Sequence, residues 1–239
     1  MMGFGYRLTQ LQSHYPTKGL SMNKTWLVIF FSVLIWSVIN PKDYLTWLLE
    51  TAPAMMAFIV LIATRSLFPL TSLAYGLILV LSLILMIGGH YTYAEVPLFD
   101  WFKIVFNQDR NNFDKLGHFT QGFVPAIVAR EIIIRNNVLN NTNWLNFFVI
   151  CICLAISAFY ELIEWWVALV SKEAAESFLG TQGYIWDTQS DMAFALAGAM
   201  AALVTLKRIH DSQISELMAK QSSNHSISNG IFYFGRKKL

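Results

Sequence analysis

The stretch "WLNFFVICICLAISAFYELIEWWVALV" (144–170) decides the fold. As a helix rising ~1.5 Å per residue, it exceeds the roughly 30 Å of hydrocarbon in a bilayer. Its only charged residues are Glu161 and Glu164. Three apart, they share one helix face. An acid near a span's centre costs ~2.5–3.5 kcal/mol on insertion scales, while a leucine returns only ~0.3–0.6. Two charged glutamates therefore need neutralising partners or a wet cavity.

The rest of the chain points the same way. Of its 239 residues, 55% are apolar and 13% charged, against about 25% charged in soluble domains. The reading is an all-α polytopic membrane helix bundle. Six spans fit, near 25–39, 44–64, 70–89, 118–135, 146–170 and 188–206, with Pro53 and Pro125 inside two of them. "VPLFDWFKIVF" (96–106) carries Leu98, Phe99, Phe102 and Phe106 at helical spacing and reads as a short interfacial helix anchored by Trp101. The net charge of +2 without basic–aromatic patches argues against nucleic acid, and Cys151 and Cys153 read as small apolar side chains. The bilayer is the expected partner.

Three segments follow: a cytoplasmic N-terminal extension (1–24), a six-span membrane domain (25–208) and a polar, mobile cytoplasmic tail (209–239). "MNKTW" at Met22 reads as an alternative start. With the N-terminus inside, twelve of the seventeen Lys and Arg fall on the inner side, and only Lys42, Lys103, Arg110, Lys115 and Lys172 outside. The positive-inside rule then places both termini in the cytoplasm.

On this topology the polar residues gather at the outer ends. "GGHYTYAEVP" brings His90, Tyr93 and Glu95; "DKLGHFTQGF" brings Asp114, His118 and Gln121; "GTQGYIWDTQSDM" brings Asp187 and Asp191. With Glu161 and Glu164, four elements deliver acids or histidines to one side, and the inner halves show no such set. Each has a plainer reading alone. Asp114 and Asp187 could cap helices, His90 could be a satisfied interface residue, Glu161 could pair with Arg130 or Lys115, and Gly180 and Gly183 could serve a turn. Trp165, Trp166, Tyr184 and Trp186 fit an interfacial belt or substrate stacking. Taken together, the acids outnumber nearby cations and favour a polar functional cavity. A divalent metal or protonation could neutralise it, and the residue types leave both open.

These four motifs together resemble the YjdF-like family of uncharacterised bacterial inner-membrane proteins, over residues 40–206. A lesser likeness, in "DKLGHF", is to VanZ-like membrane proteins. The resemblance implies an inner-membrane location and no established activity, and it implies weight on His90, Glu95, Asp114, His118, Glu161, Glu164, Asp187 and Asp191.

The expected function is a metal-assisted hydrolase or transferase acting on a lipid or cell-envelope substrate. Its catalytic candidates are Glu161, Glu164 and Asp187. Its metal-ligand candidates are His90, His118, Asp114, Glu164 and Asp191, with Glu95, Gln121 and Tyr93 as further polar groups. The alternatives are a non-enzymatic transporter or proton/cation-binding protein, and a structural helper of another membrane complex.

Overall fold

A computed structural model describes residues 23–170 and 182–235, with side chains described to residue 221. The described chain is helical, without strands. Helix α1 is Lys24–Val38, capped by the Asn23 side chain on the Trp26 N–H. Asp43 caps α2, Tyr44–Thr64, through the Thr46 N–H, and Thr71 caps α3, Ser72–Tyr91. Helix α4 is Pro97–Val105, α5 is Phe113–Arg135, and α6 is Leu145–Val170 after a short 3-10 turn. Helix α7 is Asp187–Thr205, and α8 is Lys207–Gly235.

The six expected spans correspond to α1, α2, α3, α5, α6 and α7 within a few residues. By length and apolarity alone, three described helices can cross a membrane: α2, α3 and α6 with its preceding turn. A fourth arises if α7 and the start of α8, bent by 65°, form one span. Helix α1 is apolar but only 15 residues long, and α5 is long but carries buried charges at both ends. Exposed faces are rich in large apolar residues, such as Val28, Ile59, Val60, Ile156 and Leu169, the surface of a protein solvated by hydrocarbon rather than water.

One expectation changes. The segment after 208 is helix, not tail, through the end of the described residues, and Ile214 and Leu217 are buried. The extension's residues 1–22, with Met22, lie outside the described residues, as do Lys172, Gly180 and residues 236–239. Gly183 is described at φ +83°, a left-handed backbone that favours glycine. Helix α4 buries none of its residues and exposes Leu98, Trp101, Ile104 and Val105.

Helix α5 is the axis, packed by α3, α6 and α7. Its closest partner is α7. At Gly122 a methyl would overlap the Ala195 carbonyl, and at Gly198 one would overlap the Phe119 carbonyl. Small residues thus let two backbones touch, the usual device of membrane helix pairs. That contact fixes the start of α5 against the start of α7, where the site lies.

Candidate functional site

Helices α2, α5, α6 and α7 bring acids to one end of the bundle. Glu50 comes from the first half of α2, Asp114 and His118 from the first turns of α5, Glu161 and Glu164 from the last third of α6, and Asp187 and Asp191 from the first turns of α7. All seven are buried.

His118 sits at the centre. Its Nε2 lies 3.3 Å from Asp114 Oδ1 and 3.9 Å from Asp191 Oδ2. Its Nδ1 lies 2.9 Å from Gln121 Oε1 and 3.7 Å from Glu161 Oε1. Two triads offer ligand atoms all within 4.8 Å of one another: Asp114–His118–Asp191 and His118–Glu161–Glu164. Imidazole with two carboxylates is a donor set suited to zinc, iron or manganese.

Two cations close one side. Lys115 Nζ is 2.5 Å from Asp191 Oδ1, 2.8 Å from Asp187 Oδ1 and 3.5 Å from Asp114 Oδ2. Arg110 reaches Asp187 at 2.5 Å and Asp114 at 3.4 Å. Neither Asp114 nor Asp187 caps its helix, although both lie in first turns; the cations take their carboxylates instead. Glu50 accepts a hydrogen bond from the Tyr160 hydroxyl at 2.9 Å. Tyr93 also faces Glu50, its ring wedged against Gly88 and Gly117, where an added methyl would meet it.

Six buried carboxylates therefore face Arg110, Lys115 and His118. Like charges at this spacing repel by ~3 kcal/mol per pair at an effective dielectric near 20. Glu161 Oε1 is moreover buried and has no hydrogen-bond partner, a deficit of about 1–3 kcal/mol or more for a charged group.

His90 and Glu95 are not brought to this place. The His90 ring stacks on Trp36 with centroids 4.4 Å apart, and its Nδ1 is 3.1 Å from the Ser37 carbonyl oxygen. It faces α1 and is not brought into the His118 cluster. Glu95 is exposed and pairs with Lys42. Glu161 pairs with neither Lys115, which the aspartates hold, nor Arg130, which bonds Asp211 and His210. Trp165, Trp166, Tyr184 and Trp186 are exposed.

Glu50 and Tyr160 were missed. Glu50 stands in "LLETAPA", inside a span, where a lone acid is the signal that should have added it.

The other end of the bundle also holds a buried polar network, contrary to expectation. Glu131 accepts from the Thr71 N–H at 2.9 Å, the Thr71 hydroxyl at 2.7 Å and Arg135 at 2.8 Å, and faces His210 Nε2 at 3.2 Å. Arg130 bridges His210 and Asp211. Its charges balance, two arginines against Glu131 and Asp211, and both Glu131 oxygens are bonded. There the buried carboxylate is fully bonded and the orphaned atom is Arg130 Nε, whereas in the His118 cluster a carboxylate oxygen, Glu161 Oε1, is left without a hydrogen-bond partner.

The bundle and its buried charges define an integral membrane protein built on helices. Residues 22–212 match the family described as "Predicted membrane protein (DUF2238)", and the chain belongs to that family. It is similar to "Inner membrane protein YjdF" of Escherichia coli (strain K12), 47% identical over 197 residues, which cover 82% of this chain and 94% of the relative. The likeness to VanZ-like proteins is not shown by these matches, and no solved structure matches the chain significantly.

Proposed function

We propose that the chain is a metal-dependent enzyme of the bacterial inner membrane, hydrolysing or transferring a group on a lipid or cell-envelope substrate at the outer face. The observation that carries this reading is the Glu161 Oε1 atom, buried without a hydrogen-bond partner and 3.7 Å from His118. A divalent cation on Asp114, His118 and Asp191, or on His118, Glu161 and Glu164, supplies the charge this cluster lacks. The network around Glu131 sharpens the contrast, because there both oxygens of the buried carboxylate are bonded within the fold. The excess of Lys and Arg on the other side supports the outward orientation.

The cation would act as a Lewis acid and lower the proton affinity of a bound water. With the ion on Asp114, His118 and Asp191, Glu161 would take the proton of the attacking water and pass it to the leaving group as the bond between that group and the electrophile breaks. Asp187, held by Arg110 and Lys115, positions those cations rather than acting as base. The test is metal content of the purified full-length protein, with His118→Ala and Glu164→Gln. His118→Ala should lose the ion under either ligand set, and Glu164→Gln should lose it if Glu161 and Glu164 hold it; unchanged occupancy in both rejects the reading.

Cation or proton passage is the second reading, favoured by the Glu131–His210 network lower on the same helix α5. A cysteine at position 161, with Cys151 and Cys153 replaced by serine, separates the two. Labelling from the cytoplasmic side supports passage; labelling confined to the outer side supports the enzyme.

A further inference from the structure

A cavity of about 900 Å³ adjoins the cluster, walled by the first turns of α5 and α7, the 108–112 loop and residues 182–184. Arg110 and Lys115 line it, together with Ser190 and the aromatic rings of Phe119, Tyr184 and Phe194. Both cations lie 5.7 Å from the centre of the Tyr184 ring. The polar Gln108, Asp109, Asn112 and Gln182 also line the cavity, so it is amphiphilic, with cations and aromatic rings both in reach, beside the apolar residues exposed on α4.

Lys115 belongs to both places. Its ammonium lines the cavity while holding Asp114, Asp187 and Asp191. At rest the neighbourhood is net acidic, since these three aspartates and Asp109, which also lines the cavity, outnumber the two cations. An anion entering then meets more repulsion than attraction. A divalent ion on Asp114, His118 and Asp191 takes two of the three carboxylates on the ammonium, and Asp114 from Arg110.

We infer that the cavity is a site for a phosphate-bearing amphiphile, switched on when a divalent cation in the cluster turns Lys115 and Arg110 toward it. The ligand follows from the lining. A guanidinium and an ammonium grip phosphate oxygens, and aromatic walls take an acyl or prenyl chain. Coupling of this kind is reciprocal, so the amphiphile also tightens the cation. The inference rests on the metal-dependent reading and names its substrate class.

The experiment is equilibrium binding to the full-length protein in zwitterionic detergent, chelated or loaded with Mn²⁺, with metal content measured in each sample. The probes are dihexanoyl phosphatidic acid, inorganic phosphate and dihexanoylglycerol. The phosphatidic acid should bind at least about tenfold tighter to the loaded protein, and inorganic phosphate or the phosphate-free lipid far more weakly. Ser190→Phe, which fills the cavity, should abolish lipid binding and keep the metal; Lys115→Met should keep the metal and erase the dependence on it. Equal affinity for phosphatidic acid in loaded and chelated protein overturns the inference while leaving the metal site standing. So does retained binding in Ser190→Phe. Inorganic phosphate binding as tightly would assign the site to a free phosphate, and the phosphate-free lipid binding as tightly would make it an apolar cleft; either overturns the amphiphile. A protein that takes up no metal sinks both readings.

Discussion

His118 on α5 and Glu161 on α6 face each other at 3.7 Å, and the Glu161 oxygen in that pair has no hydrogen-bond partner. A buried carboxylate is stable only when something answers its charge. Gln121 and Asp114 approach the His118 ring at 2.9 and 3.3 Å, and Asp191 at 3.9 Å, so the pair sits among further acids.

Glu161→Gln should therefore separate stability from function. In chelated protein it removes one charge from a repulsive set and should raise the melting temperature by ~2–4 °C, the equivalent of ~1 kcal/mol in a chain of this size. The same change should weaken metal binding at least tenfold. This is the trade expected at functional sites. A lower melting temperature with unchanged metal affinity would mean that Glu161 serves packing alone.

The α5–α7 crossing gives a matched pair of glycine substitutions. Gly122→Ala drives a methyl into the Ala195 carbonyl, and overpacking of this kind costs about 1–3 kcal/mol. Because the same crossing sets Asp114 and His118 against Asp191, metal affinity should fall with stability. Gly76→Ala, in α3, meets nothing within 4 Å and should leave stability equal or up to about 1 kcal/mol higher, from helix propensity. Thermal unfolding of both variants in detergent is the measurement; equal losses would mean that the close crossing is not what stabilises the pair.

Much of this was legible in the chain. The helices of the six expected spans follow from long apolar runs, each within a few residues of where the sequence puts it. The pairing of Asp114 with His118 follows from i,i+4 spacing. What failed was register between helices. Nothing in the sequence says that His90 turns toward Trp36 and Ser37 rather than toward His118, because one residue's rotation about a helix is about 100° and tertiary packing sets the phase. Glu50 was lost in an apolar run, and the Glu131 network needed α8, whose polar sequence hides the burial of His210.

The Glu131 end should respond independently of the site. Removing one partner of a buried ion pair costs about 3–5 kcal/mol, and Glu131 joins α3, α5 and α8 through Thr71, Arg135 and His210. Glu131→Ala should release α8 and open it to limited proteolysis near residues 207–221. Metal content at the other end should not change. Simultaneous loss of the metal would show that the two clusters form one coupled path, which is the passage reading.

Divalent cation should itself stabilise the fold. A ligand that binds only the native state adds about 2.7 kcal/mol at a hundred times its Kd, which for a chain of this length is a rise of roughly 5–10 °C. Since the cation also relieves the repulsion between Asp114, Asp191, Glu161 and Glu164, the effect should appear with Mn²⁺ or Zn²⁺, which accept imidazole and carboxylate together, more than with Ca²⁺. In His118→Ala the remaining carboxylates keep general affinity for cations but lose the nitrogen ligand, so the preference for Zn²⁺ over Ca²⁺ should shrink. Thermal shifts of wild type and His118→Ala across the three ions read this directly. A wild-type protein that melts at one temperature in chelator and in every ion would leave Glu161 to be answered by a proton instead.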